Sequence, residues 1–266
     1  MNRVVPGLIL VACWLLLLLY APLSLFWLVI LIVGTMGAYE YYRMVADDLQ
    51  GVPRLLVLPL LVLPLAMAVN GHQGMVMLGL FMGLLGIVGL TLGFYRKIPH
   101  VQRFLSAAAL GLLYIGFCLA HVVLLRFLPH GSGWLLVLSA VTAGSDTGAY
   151  YAGRAFGRRK LCRHISPGKT VEGAAGGIGA GVLAAVIMTL LALPSGQIGR
   201  IILAAVLLGI IGIGGDLTES VLKRSAGIKD SGTLLAGHGG VLDRGDSLLL
   251  TAPLLYYLIN FGFFTI

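Results

Sequence analysis

Charge is scarce in this chain. Eighteen Lys and Arg and ten Asp and Glu make only 11% of its 266 residues charged, while 59% are apolar; soluble domains average about 25% charged. So few charges cannot solvate the surface of a 28.1 kDa globule, which excludes a water-soluble fold and puts most of the surface against lipid. Cysteine is nearly absent. Cys13, Cys118 and Cys162 have neither CxxC nor metal-ligand spacing, which argues against a disulfide framework and a zinc site. The GxSxG and HExxH patterns are missing, so serine-hydrolase and zinc-protease chemistry have no support. The net charge of +8 would suggest nucleic acid in a soluble chain. Here membrane topology and anionic headgroups explain it, and no nucleic-acid partner is expected.

What is abundant is long apolar runs. Val5 to Tyr20, Leu23 to Ala38, Leu55 to Val69, Met75 to Tyr95, Phe104 to Phe127, Trp134 to Ala152, Gly173 to Leu193, Ile201 to Thr218 and Ser247 to Phe264 predict an all-α, polytopic integral membrane bundle of about nine transmembrane helices. Leu55 to Val69 is short and contains Pro59 and Pro64, which predicts a kinked or re-entrant helix and leaves eight spans as the other count. Gly173, Gly177 and Gly181 repeat every four residues, a packing stripe that serves either one chain or two protomers of a homodimer.

With nine spans, sixteen cations fall on one side: Arg3, Arg43, Arg54, Arg96, Lys97, Arg103, Arg154, Arg158, Arg159, Lys160, Arg163, Lys169, Lys223, Arg224, Lys229 and Arg244. Two, Arg126 and Arg200, fall on the other. The positive-inside bias then predicts a cytoplasmic N-terminus and an outside C-terminus. All ten acids lie on or toward the cytoplasmic face, so a polar chemical centre is expected there. No linker divides the chain, which is read as one membrane domain, 1–266, with spanning helices in 1–133 and catalytic helices and loops in 134–266.

The densest polar stretch runs from Asp216 to Asp246. Asp216, Glu219, Ser220 and Lys223 fall on one helical face at offsets of three, four and seven. A glycine-rich loop follows, ringed by Lys223, Arg224, Lys229 and Arg244, and ends at Asp243 and Asp246. Carboxylates, cations and backbone free to approach phosphate suit phosphoryl or nucleotidyl transfer with Mg²⁺. A plainer reading pairs Asp216 with Lys223 at the interface and makes Asp243 or Asp246 a helix cap. Against it, each carboxylate set toward the membrane interior costs about 2.5–3.5 kcal/mol.

A second constellation runs from Ser145 to Glu172. Asp146 interrupts an apolar span near its inner end, and Ser166-Pro167-Gly168-Lys169-Thr170 is expected to form an anion-binding turn. It lacks the frame of a P-loop. His238, between two glycines, is a candidate for a phosphate or nucleobase contact or for a structural hydrogen bond. Glu40, with Tyr39, Tyr41, Tyr42 and Arg43, reads as part of an aromatic interface belt.

These residues resemble the phosphatidate cytidylyltransferases, the CDP-diacylglycerol synthases of the membrane. The resemblance is carried by Ser220, Leu222, Lys223, Arg224, Lys229, Asp230, Gly232, Leu235, His238, Gly239, Gly240, Val241, Asp243, Arg244 and Asp246, with the GDLTES, SDTGAYYAGRAFG and SPGKT stretches upstream. It implies transfer of the cytidylyl group of CTP to phosphatidate, giving CDP-diacylglycerol and pyrophosphate, with Mg²⁺ and room for a second cation. It implies catalytic roles for Asp216, Asp243, Asp246, Lys223 and Arg224, the metal lying on Asp216 and Asp243. Substrate contacts would come from Asp146, Ser166, Lys169, Thr170, Lys229, Asp230, His238, Gly239, Gly240 and Arg244. The implied location is a bacterial inner membrane, with the site facing the cytoplasm. Ala236 stands where the family has proline, Gly245 where it has a larger apolar residue, and Val171 where an aromatic is customary. A CTP-dependent polyprenol or phytol-type lipid kinase, an anion or lipid transporter and a degenerate non-catalytic homologue are the competing readings.

Overall fold

The computed structural model describes residues 4–194, 197–232 and 240–264. The protein is an all-α, polytopic membrane bundle with one short β-hairpin. Among the described residues, five helical stretches are long and apolar enough to cross a bilayer: Leu23–Met44, Gln73–Gly93, Val101–Phe127, Val171–Ala192 and Ile198–Ser225.

Two compact units divide the chain. The first comprises Met1–Phe127 and Ala226–Arg244. It contains α1 (Val4–Tyr20), α2 (Leu23–Met44), α3 (Arg54–Leu61), α4 (Leu63–Ala66), α5 (Gln73–Gly93), α6 (Val101–Gly111) and α7 (Cys118–Phe127). The expected kink at the two prolines is a break at Val62, with a 3₁₀ turn after α4. Pro64 lacks an N–H, so the ladder stops there and a new helix starts with proline in its first turn. Between α6 and α7 the span continues through a π-helical stretch, Leu112–Phe117. Long-range hydrogen bonds tie the unit together. Tyr41 Oη donates to the Ala107 carbonyl at 2.8 Å, and Trp27 Nε1 donates to the Leu65 carbonyl at 3.1 Å. Tyr41 is fully buried, so it belongs to the core and not to an interface belt.

The second unit comprises Leu128–Ser225 and Gly245–Ile266. It contains α8 (Gly131–Phe156), strands β1 (Lys160–Cys162) and β2 (Ser166–Thr170), α9 (Val171–Ala192) and α10 (Ile198–Ser225). Most of α11 (Leu242–Asn260) also belongs here. The glycine stripe joins α9 to α8 within the chain. A Cβ on Gly173 would stand 2.9 Å from the Ala149 carbonyl, and one on Gly177 2.7 Å from the Ser145 carbonyl. Gly148 on α8 faces the Gly176 carbonyl in the same way, at 2.8 Å. Backbones this close replace side-chain packing, which matters where lipid supplies no hydrophobic drive between helices. The stripe is therefore occupied by α8 and offers no support for a dimer.

The SPGKT segment is a strand and not the expected turn. Its ends pair antiparallel with β1, Lys160 with Thr170 and Cys162 with Ser166. Thr170 then opens α9, its Oγ1 accepting the Gly173 N–H at 3.0 Å as an N-cap.

Candidate active site

The second unit encloses a cavity of about 280 Å³ between α8, β2, α9 and α10. Its polar wall is Ser145, Asp146, Lys169, Thr170, Asp216 and Ser247, and its apolar wall includes Val141, Ala149, Leu208 and Ile213. The polar wall follows from local structure. Asp146 lies in α8 among small residues, Lys169 is carried by the hairpin strand, and Asp216 sits in α10 one residue after Gly215. A Cβ at Gly215 would lie 2.5 Å from the Asp246 carbonyl, so glycine there lets the start of α11 press against α10.

Lys169 Nζ forms an ion pair with Asp216 Oδ2, and Ser220 Oγ donates a long 3.5 Å hydrogen bond to Asp216 Oδ1. The plainer expectation, an Asp216–Lys223 pair, is replaced by two others, because Lys223 pairs with Glu219 one turn earlier at 3.4 Å. Glu219 is fully buried and lies beside Asp246. Asp146 lies within electrostatic range of Asp246, Asp216 and Lys169. Three aspartates and a buried glutamate thus gather beside two lysines. This all-oxygen donor set suits a hard divalent cation. No three carboxylates among the described residues adopt a ligating arrangement.

Glu172 fixes the root of the hairpin, accepting the Arg158 N–H at 3.0 Å and the Arg159 N–H at 3.1 Å. Arg224 Nε reaches the Ile165 carbonyl at 3.5 Å, so this cation braces the hairpin from α10. Ser166 is held in β2 by the pairing with Cys162, and Thr170 combines its cap with a place in the cavity wall.

In the first unit, Asp243 Oδ2 accepts three hydrogen bonds, from Ser231 N at 3.0 Å, Ser231 Oγ at 3.0 Å and Gly240 N at 2.7 Å. It organises its own loop and does not cap α11, which begins at Leu242. The α11 N-terminus is held by Glu40 instead. Glu40 Oε1 accepts the Val241 N–H at 3.0 Å, and Oε2 accepts the Leu242 N–H at 3.0 Å and Ser231 Oγ at 3.2 Å. With 2% exposure, Glu40 is a buried anchor and not part of a belt. The sequence carried the signal, a lone carboxylate near the end of an apolar run, which is the argument already applied to Asp146. Lys229, Asp230 and Arg244 are exposed. His238 and Gly239 lie outside the described residues.

A family model described as "Cytidylyltransferase family" matches residues 1–262. The chain is 36% identical over 265 residues to the phosphatidate cytidylyltransferase of Bacillus subtilis (strain 168), covering 97% of each. It is 34% identical over 255 residues to that of Synechocystis sp. (strain ATCC 27184 / PCC 6803 / Kazusa), covering 84% of each. It is 46% identical over 149 residues to that of Brucella suis biovar 1 (strain 1330), covering 56% of this chain and 55% of the relative.

Proposed function

From the premise that the chain belongs to the phosphatidate cytidylyltransferase family, we propose that the cavity of the second unit is where its chemistry is done. The protein is a CTP-dependent nucleotidyltransferase that converts phosphatidate to CDP-diacylglycerol and pyrophosphate. The observation that carries the site assignment is one cavity with an apolar wall on α8, α9 and α10 and a polar wall of Asp146, Lys169 and Asp216. An amphiphile with a phosphate head and acyl tails matches that division.

The phosphatidate phosphate is already anionic near neutral pH, so an oxygen can attack the α-phosphorus of CTP in line, without a strong general base, as pyrophosphate leaves. Lys169 meets phosphate charge at the cavity wall, and Lys223 and Arg224 neutralise the leaving group. Mg²⁺ is the implied cofactor, and Asp216, beside Asp146 and Asp246, is the carboxylate proposed to hold it. When bound it supplies neutralisation of the triphosphate. The role of Asp243 as a second ligand rests on the family resemblance, as do substrate contacts for Ser166, Thr170, Lys229, Asp230, His238, Gly239, Gly240 and Arg244. A second cation stays part of this proposal.

The nine-span topology, with the N-terminus and the site cytoplasmic in a bacterial inner membrane, is supported by the sixteen-to-two cation tally. A C-terminal reporter active only outside the cytoplasm checks it. The activity test is Mg²⁺-dependent pyrophosphate release from CTP in phosphatidate micelles, beside Asp216→Ala and Asp243→Ala. Release by the wild type and loss in Asp216→Ala is the expected result. Equal activity in Asp216→Ala overturns the site, and release of CDP in place of pyrophosphate overturns the reaction.

A further inference from the structure

One buried charge in the first unit is not used by this chemistry. Glu40 lies near the end of α2, far in sequence from the glycine-rich segment, yet it touches both flanks of 233–239. On one side it accepts Ser231 Oγ, and on the other Val241 N and Leu242 N. Two glycines are shaped to it. A Cβ on Gly232 would have Glu40 atoms as its three nearest neighbours, Oε1 first at 2.5 Å, and one on Gly240 would meet Ser231 Oγ first and then Glu40 Oε2 at 2.5 Å. Ser231 has a single hydroxyl proton, placed between Glu40 at 3.2 Å and Asp243 at 3.0 Å. The two carboxylates therefore share one donor, and displacing either disturbs the other.

A buried carboxylate is costly unless hydrogen bonds repay its desolvation. Three donors meet Glu40, two of them backbone amides at the start of α11, where a helix lacks internal acceptors for its N–H groups. The carboxylate therefore acts as an N-cap supplied from a distant helix. Its removal would leave Val241 N, Leu242 N and Ser231 Oγ to find other partners.

We infer that Glu40 is a positioning residue for nucleotide: it clamps the two flanks of the glycine-rich segment and so fixes Asp243 and the start of α11 for CTP. The inference rests on the cytidylyltransferase reading above. Glu40 reaches no substrate in this role and acts through Ser231 and the backbone at 241 and 242.

The test uses the full-length protein in detergent, with Glu40→Ala, Glu40→Gln, Gly232→Ala and the double variant Glu40→Ala with Gly232→Ala. Glu40→Ala is expected to raise the KM for CTP about tenfold or more while the KM for phosphatidate stays within about twofold. Glu40→Gln keeps the volume and one acceptor, and is expected to fall between; it is the variant to use if Glu40→Ala does not fold. Hydrogen exchange of the peptide spanning 240–244 should accelerate about tenfold or more in Glu40→Ala, with α8 and α9 peptides unchanged. Gly232→Ala should weaken CTP use in the wild type but add nothing to Glu40→Ala, because the clash is with Glu40 itself. An unchanged KM for CTP, equal rises in both KM values, or additive effects of the two substitutions overturns the inference. If the wild type makes no CDP-diacylglycerol, the functional reading fails, and the exchange data still decide whether the clamp exists.

Discussion

The ammonium of Lys169 rests on a carboxylate oxygen of Asp216, joining the last residues of the β-hairpin to α10 in the cavity wall. Both side chains keep about a quarter to a third of their exposure, 26% and 30%, so the pair contributes only about 0–1 kcal/mol to stability. Its effect on activity should be far larger. Lys169→Ala is expected to lower kcat/KM about 10²-fold or more, the scale of losing one preorganised electrostatic contact, while the melting temperature in detergent barely moves. Pyrophosphate release and a thermal melt on the same preparation check both halves.

The contact between α8 and α9 predicts an asymmetry among glycines of one helix. Gly177→Val must push its Cβ toward a carbonyl 2.7 Å away, and overpacking of this kind costs about 1–3 kcal/mol. Gly179 has nothing within 4 Å of its Cβ position, so Gly179→Ala is expected to be neutral or to stabilise by up to about 1 kcal/mol. Thermal melts of the two variants in detergent should move in opposite directions or leave Gly179→Ala unmoved.

Lys223 and Glu219 make a more demanding pair, since the glutamate is fully buried and the lysine only 15% exposed. Lys223→Met removes the cation and leaves the carboxylate beside Asp246. Breaking a buried pair on one side costs about 3 kcal/mol. Loss of both thermal stability and CTP turnover is expected. A melting temperature equal to that of the wild type would show that Glu219 draws its compensation elsewhere.

Gly245, where the family resemblance calls for a larger apolar residue, lies inside α11 with open space around its Cβ position. No packing requires glycine there. Gly245→Ala is expected to stabilise the protein by up to about 1 kcal/mol with turnover retained. A drop in either, measured by melt and by pyrophosphate release, would mean that the helix uses the freedom of this glycine.

The membrane class and the residues around Asp216 were legible because each depends on a local signal. A run of apolar residues is long or it is not, and a carboxylate inside one is costly wherever the chain goes. The pairings were not legible. Lys223 stands at i+7 from Asp216 and i+4 from Glu219, and both spacings put it on the same face; only packing decides that Lys169 takes Asp216 instead. The SPGKT segment carries Pro and Gly, which read as a turn, yet the hairpin makes it a strand whose last residue caps α9. Glu40 was misread for a different reason. Three tyrosines around it suggested an interface belt, and nothing near it in sequence announces that its donors are at 231, 241 and 242.

The π-helical stretch at Leu112–Phe117 bears on how this span tolerates changes in length. Each residue of an α-helix turns the chain by about 100°, and a π turn absorbs one residue more than its α equivalent without breaking the helix. The halves on either side keep separate alignments. Before the stretch Gly111 abuts Tyr41, and after it Leu119 abuts Gly34. Deleting one residue inside 112–117 would let the stretch relax to α and leave both alignments intact. An insertion elsewhere in Val101–Phe127 has no such reservoir, and it would rotate half of the helix away from the neighbours it was built to meet.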